Sequence, residues 1–174
     1  MSFANEPFSH RFQTMGDISE RKFEELCDRK FCRYGLNRPP IHMGSLPASV
    51  RYTPDYLTSE SFVEVQGLGT DQVLKLKLEK MVALRSWHRM HPVILFAYDS
   101  SNDRHANIPL AHLQRMCKNA EVKLFPEGKE YYAIPAALVW ADESQRNTNC
   151  LYPPWVVAGV TWFYRRKNFV GRSC

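Results

Sequence analysis

The sequence predicts an α/β fold, and three observations carry that expectation. A helical pattern near the N-terminus is followed by two short strand-like runs. A second helical pattern then leads into the continuous apolar run Val93–Tyr98 (VILFAY). No internal repeat or low-complexity linker interrupts this order. With 174 residues, 44% of them hydrophobic and 13% aromatic, the chain is long enough for one domain with its own core. A single domain over 1–174 is expected, with a core over about residues 16–98 and a C-terminal α+β extension over about 99–174.

The elements follow in order. Residues 1–15 form an arm with no clear pattern. Asp17 to about Arg33 reads as a helix, because Phe23, Cys27 and Phe31 share one stripe on a wheel of about 100° per residue. Gly35, Asn37, Pro39 and Pro40 stop it. Residues 41–47 are irregular or one short strand. Ser49–Leu57 and Ser61–Gln66 read as two strands of a hairpin, and Gly67 and Gly69 break the second. Val73–Lys77 alternates apolar and basic residues. Leu78 to about Arg89 is helical, with Leu78, Met81, Val82 and Arg85 close together on the wheel, and Pro92 follows it. Val93–Tyr98 is a buried strand, SSNDRHAN a polar loop and Pro109–Asn119 a helix. Glu121–Phe125 and Tyr131–Ile134 are short strands, and WVVAGVTWFYRRK is one more strand or a strand–helix edge.

Composition narrows the function classes. The net charge of +5 favours a polyanionic partner without identifying one. No apolar run approaches the roughly 18–20 residues of a membrane span, and MSFANEPFSHRF has no signal-type apolar core, so a cytoplasmic location is expected. The five cysteines include no C-x-x-C pair, which argues for reduced thiols over structural zinc.

Chemistry gathers at the hairpin. Strand periodicity puts Phe62, Glu64 and Gln66 on one face of SFVEVQ and Val63 and Val65 on the other. A tight turn between Ser59 and Glu60 then sets Asp55 opposite Glu64. Carboxylates opposed at about 4.5–5.5 Å between Cβ atoms repel, and a hard cation between them removes the conflict. A solvated polar hairpin face is the alternative. Glu20 adds a third carboxylate on the buried helical stripe, or else closes a capping box begun by Asp17. Glu24, about 40° away on the wheel, is the next candidate. At the C-terminus, Trp162-Phe163-Tyr164-Arg165-Arg166-Lys167 mixes aromatic and cationic side chains suited to bases and phosphates, or ends a strand in a solvated tail.

The order Gly16-x-x-x-Glu20, Pro54-Asp55, then Glu64-Val65-Gln66, resembles the PD-(D/E)xK nuclease superfamily. The resemblance covers about residues 16–98 and implies a restriction-endonuclease-like core of helix, mixed β-sheet hairpin, helix and strand. It implies that Asp55 and Glu64 hold Mg²⁺, with Mn²⁺ substituting, and that Glu20 assists directly or through water. It further implies a DNA endonuclease similar to small homodimeric members such as Holliday-junction resolvases and small restriction or homing endonucleases. One position departs: Gln66 stands where the family has lysine. A lysine from elsewhere is expected to compensate, with Lys75, Lys77 and Lys80 available and Lys77 preferred. Lys75, Arg165, Arg166 and Lys167 are the expected DNA contacts. Two other readings stay open: a nuclease-fold DNA-binding or assembly protein without catalysis, and an RNA-directed nuclease.

Overall fold

The structure, a computed structural model, describes residues 18–35 and 46–141, all within one unit, Met1–Ala141. In chain order its elements are α1 (residues 18–26), β1 (Phe31–Arg33), α2 (Ala48–Arg51), β2 (Tyr56–Thr58), β3 (Phe62–Gly67), β4 (Val73–Lys77), α3 (Leu78–His88), β5 (Val93–Asp99), β6 (Arg104–Pro109), α4 (Leu110–Asn119), β7 (Glu121–Leu124), β8 (Glu130–Pro135) and α5 (Ala136–Trp140). The fold is α/β with a mixed sheet, as the sequence predicts. Its first part runs from α1 through the β2–β3 hairpin to α3 and β5, with β1, α2 and β4 between them, and an α+β part follows.

Two sheets organise it. The larger has the order β1-β2-β3-β5-β6, and the smaller β4-β8-β7. β1, β2 and β3 form an antiparallel meander; β5 then runs parallel to β3, with α3 between them. β6 returns antiparallel to β5. Both faces of this sheet are covered, which is why all seven residues of β5 are buried and read as one apolar run. On one face Val63, Phe96 and Tyr98 pack with Tyr56 and with Phe23 of α1. On the other, Phe62, Leu95, Ala97 and Ile108 pack with Met81 and Leu84 of α3, Leu113 of α4, and Leu74, Leu76 and Ile134 of the smaller sheet.

The hairpin register follows from its turn. Thr58 N–H donates to Ser61 C=O at 2.9 Å, and the Thr58 hydroxyl accepts from Ser61 N–H at 3.0 Å and Glu60 N–H at 3.3 Å. Tyr56 therefore faces Val63 and Leu57 faces Phe62. Continued one step, that register brings Asp55 to Glu64.

Several expected elements differ. The first helix stops at residue 26, and Phe31–Arg33 pairs with β2 instead of extending the helix. Phe31 still reaches the cluster predicted for it, 5.7 Å from Phe23 and 5.6 Å from Tyr56, but from a strand. Ser49–Leu57 is not one strand. Pro47 opens the helical turn α2, and Pro54, with no N–H to give a ladder, delays pairing until Tyr56. On α3 the buried residues are Met81, Ala83 and Leu84, while Val82 is 59% exposed. SSNDRHAN is a loop only through Asp103. Asp99 holds the turn, accepting from Ser101 N–H at 3.0 Å and Asn102 Nδ2 at 2.7 Å, and Ala106 and Ile108 then alternate inward along β6. The C-terminal strand and the 41–45 segment lie outside the described residues. Among the described residues, no helix is long and apolar enough to cross a membrane, and Cys27, Cys32 and Cys117 are free thiols.

Candidate functional site

Asp55 is held by backbone on two sides. Its Oδ2 accepts from Val65 N–H of β3 at 2.8 Å. Its carbonyl accepts from Tyr34 N–H at 2.8 Å and Gly35 N–H at 3.2 Å, where β1 ends. Gly35 is required for that approach: a Cβ there would lie 2.8 Å from Pro54 O and 3.1 Å from Asp55 Cα. The break in the strand at Pro54 and the close approach at Gly35 together aim Asp55 across the hairpin.

Glu64 is 2% exposed and lies on the α3 side of β3. Burial first, and then the Asp55 carboxylate, push its carboxyl up to about 8. Burial also raises Asp55, opposed by Lys80, the Val65 N–H and a hydrogen bond from Glu64. The hydrogen bond between the two raises Glu64 and lowers Asp55, so the pair resists ionising together and favours its proton on Glu64.

Lys80 completes the group. It leaves the buried side of α3 and its Nζ pairs with Glu64 Oε1. Burial disfavours the Lys80 charge, but Glu64 and Asp55 outweigh it and its pKa is raised. The cluster is a pair of carboxyl groups and one ammonium, drawn from the β2 entrance, β3 and α3.

The other candidates fall into place around this cluster or away from it. Gln66 is half-buried on the Glu64 face of β3, two residues further along. Glu20 pairs with Arg33 at 2.8 Å, and Glu24 pairs with the same guanidinium at 2.7 Å while accepting from Tyr56 Oη at 2.8 Å. Among the described residues no group of three His, Cys, Asp or Glu forms a metal-holding cluster, so the expected third carboxylate is directed to Arg33, whose charge in turn acts on Asp55. Lys75 and Lys77 do share a face of β4, but in the smaller sheet. Lys75 pairs with Asp71 at 2.6 Å, and Lys77 pairs with Glu127 at 3.6 Å and lies over the Phe125 ring at 5.3 Å. Lys80, not Lys77, meets the carboxylates. Arg165, Arg166 and Lys167 lie outside the described residues.

A signal for Lys80 was present in the sequence. On the wheel Lys80 falls within about 60° of Ala83, Leu84 and Trp87, so it sits on the apolar stripe and needs a buried partner.

No protein-family model matches the chain, and no curated protein matches it. Among solved structures the chain is similar to D212, a nuclease from a fusselovirus. The TM-score is 0.42 with 11% identity, over 90% of this chain and 94% of that one. So loose a likeness assigns no role to any residue here.

Those groups fit a hard divalent cation. Two opposed carboxylates repel, and a cation held between them would relieve that repulsion as a proton does. The oxygen donors, Asp55 and Glu64 with the Gln66 amide beside them, suit Mg²⁺ or Mn²⁺ better than a thiophilic metal. Lys80 brings a positive charge to these carboxylates, which Gln66 does not.

Proposed function

We propose that the protein is a divalent-metal-dependent endonuclease that hydrolyses phosphodiester bonds in DNA, as a homodimer when both strands are cut. Asp55 and Glu64 hold the ion, Mg²⁺ or in its place Mn²⁺. The chemistry such an ion supplies is Lewis-acid polarisation of the phosphate and acidification of water. The observation that carries the proposal is the meeting of Asp55, Glu64 and Lys80 where β2 enters the hairpin, beside the apolar Phe62 and Val63.

Each residue then has a distinct task. Asp55, fixed through Val65 N–H and the β1 end, sets the position of the negative charge. Glu64 carries the proton that must leave before a cation can be held. Lys80 already lies within reach of Glu64, so its ammonium faces the charge that develops on a phosphate bound there. Gln66 orients a water through its amide. Glu20 is a positioning residue, acting through Arg33 on Asp55. The net charge of +5 suits a polyanionic substrate. Branched DNA is the form expected from the family resemblance, along with defined duplex sites.

The test is cleavage with Mg²⁺ of a four-way junction, linear duplex, single strand, circular plasmid and matched RNA, with wild type and Glu64→Ala side by side. Wild type should cut at least one DNA, and Glu64→Ala should bind it without cutting. Cleavage that survives Glu64→Ala would sink the assignment. DNA binding by wild type with no cleavage under Mg²⁺ or Mn²⁺ would point to a non-catalytic DNA-binding protein.

A further inference from the structure

Among the described residues β7 is a sheet edge with no further strand on its outer side. It pairs in unbroken register with β8, Glu121 to Ala133 through Leu124 to Glu130, so no bulge bends it away. No proline interrupts it, and all four of its residues are exposed. Among the described residues the other edge strands of the two sheets, β1, β4 and β6, each hold at least one residue that is half-buried or better. Edge strands left flat and unblocked are templates for another strand.

The side chains of β7 say which strand. Val122 stands opposite Tyr132, on the same face of the smaller sheet as Leu74, Leu76 and Ile134. That face is core further in, but at β7 it outruns its cover: Val122 is 46% and Leu124 66% exposed. On the opposite face Glu121 and Lys123 pair with each other at 3.2 Å. Place a second β7 antiparallel to the first about a two-fold axis through Val122. Glu121 then faces Lys123 of the second copy, Lys123 faces its Glu121, and the two Val122 side chains meet. The sequence Glu-Val-Lys is its own complement in that arrangement and in no parallel one. A lone lysine would block an edge; here each lysine finds a glutamate.

We infer that β7 is a self-association edge, at which a second copy of this chain adds its β7 and joins the two small sheets into one of six strands. The inference goes beyond the nuclease reading, which expects two copies but assigns them no surface, and it does not rest on that reading. Three residues of each copy pair in this arrangement and bury less than a standard interface, so association should be roughly micromolar.

The experiment is sedimentation equilibrium of the full chain as wild type, Glu121→Lys, Lys123→Glu and the double exchange, each checked for an unchanged far-ultraviolet spectrum. Wild type should dimerise. Either single exchange puts like charges opposite twice and should weaken association by about tenfold or more. The double exchange should restore it. The two single variants, mixed, should form a heterodimer, because an edge with two lysines then faces an edge with two glutamates. A wild type that stays monomeric, or a dimer that both single exchanges leave intact, overturns the inference. So does equal protection of β7 amides from hydrogen exchange at concentrations where the chain is monomeric, which would mean that its own residues cover the edge. Cleavage is assayed separately: a β7 dimer that cuts nothing leaves this inference standing and removes the nuclease reading, and an active monomer does the reverse.

Discussion

At Lys80 a long aliphatic stem leaves the buried side of a helix and ends against a buried carboxylate, and the ordinary roles of both groups change. Lys80→Met keeps the stem and removes the charge. If the ammonium stabilises charge on a bound phosphate, single-turnover cleavage should fall by about 10²–10³-fold with DNA binding largely kept; cleavage within a factor of about two of wild type would assign the role elsewhere. Glu64 carries a second expectation at this scale. Its carboxyl is raised in the folded chain from 4.5 to about 8, so between those values the folded state binds a proton that the unfolded state releases. That contribution to stability is fully present below about pH 4.5 and is lost as pH rises through about 8. In the absence of metal the wild type should lose stability to urea between pH 6 and pH 8.5 relative to Glu64→Gln, whose amide does not titrate. Equal slopes for the two proteins would show that Glu64 is already ionised at neutral pH.

The hairpin shows how an element positions a site, and how much of that was legible. The alternation in SFVEVQ and the two-residue turn were enough to pair Asp55 with Glu64, because register in a strand with one apolar face has little freedom. Gly35 was read only as a helix stop. Its task, admitting β1 to the Asp55 carbonyl, depends on a contact with Pro54 that no local pattern announces. Gly35→Ala should cost about 1–3 kcal/mol of stability and reduce cleavage further than that loss explains, since Pro54 O must move and carries Asp55 with it. Thermal melts beside cleavage rates check this; full activity in a folded Gly35→Ala protein would contradict it. Glu20 was legible as a carboxylate that needs a partner, but not as the partner of Arg33, because Arg33 was expected at the end of the same helix and lies instead on a strand facing it. Lys80 was hidden for a related reason: a stripe judged from Leu78, Met81 and Val82 shares only Met81 with the side that the fold buries, Met81, Ala83 and Leu84.

Across the whole molecule the order of the sheets was the least legible part. Apolar–basic alternation revealed β4, but nothing in it says that β4 leaves the large sheet to pair with β8, nearly sixty residues later in the chain. The apolar core spans both sheets through Leu74, Leu76, Leu95 and Ile134, all nearly or fully inaccessible. Leu95→Ala should therefore cost about 2–5 kcal/mol, measured by denaturant unfolding with the site residues untouched. Metal gives a measurement on the same scale. Millimolar Mg²⁺ should raise the melting temperature of wild type and leave that of Asp55→Asn unmoved; an equal rise in both would place the ion away from this pair. The joint between β4 and α3 has a further consequence. Lys77 ends the strand and Leu78 begins the helix, with no residue between them. The small sheet thereby works like a key on a shaft, setting the angle at which the helix presents its side chains. One residue inserted between Lys77 and Lys80 would turn the helix by about 100° against the strand. In this chain the length of a stretch that touches no substrate decides whether the ammonium and the carboxylates meet at all.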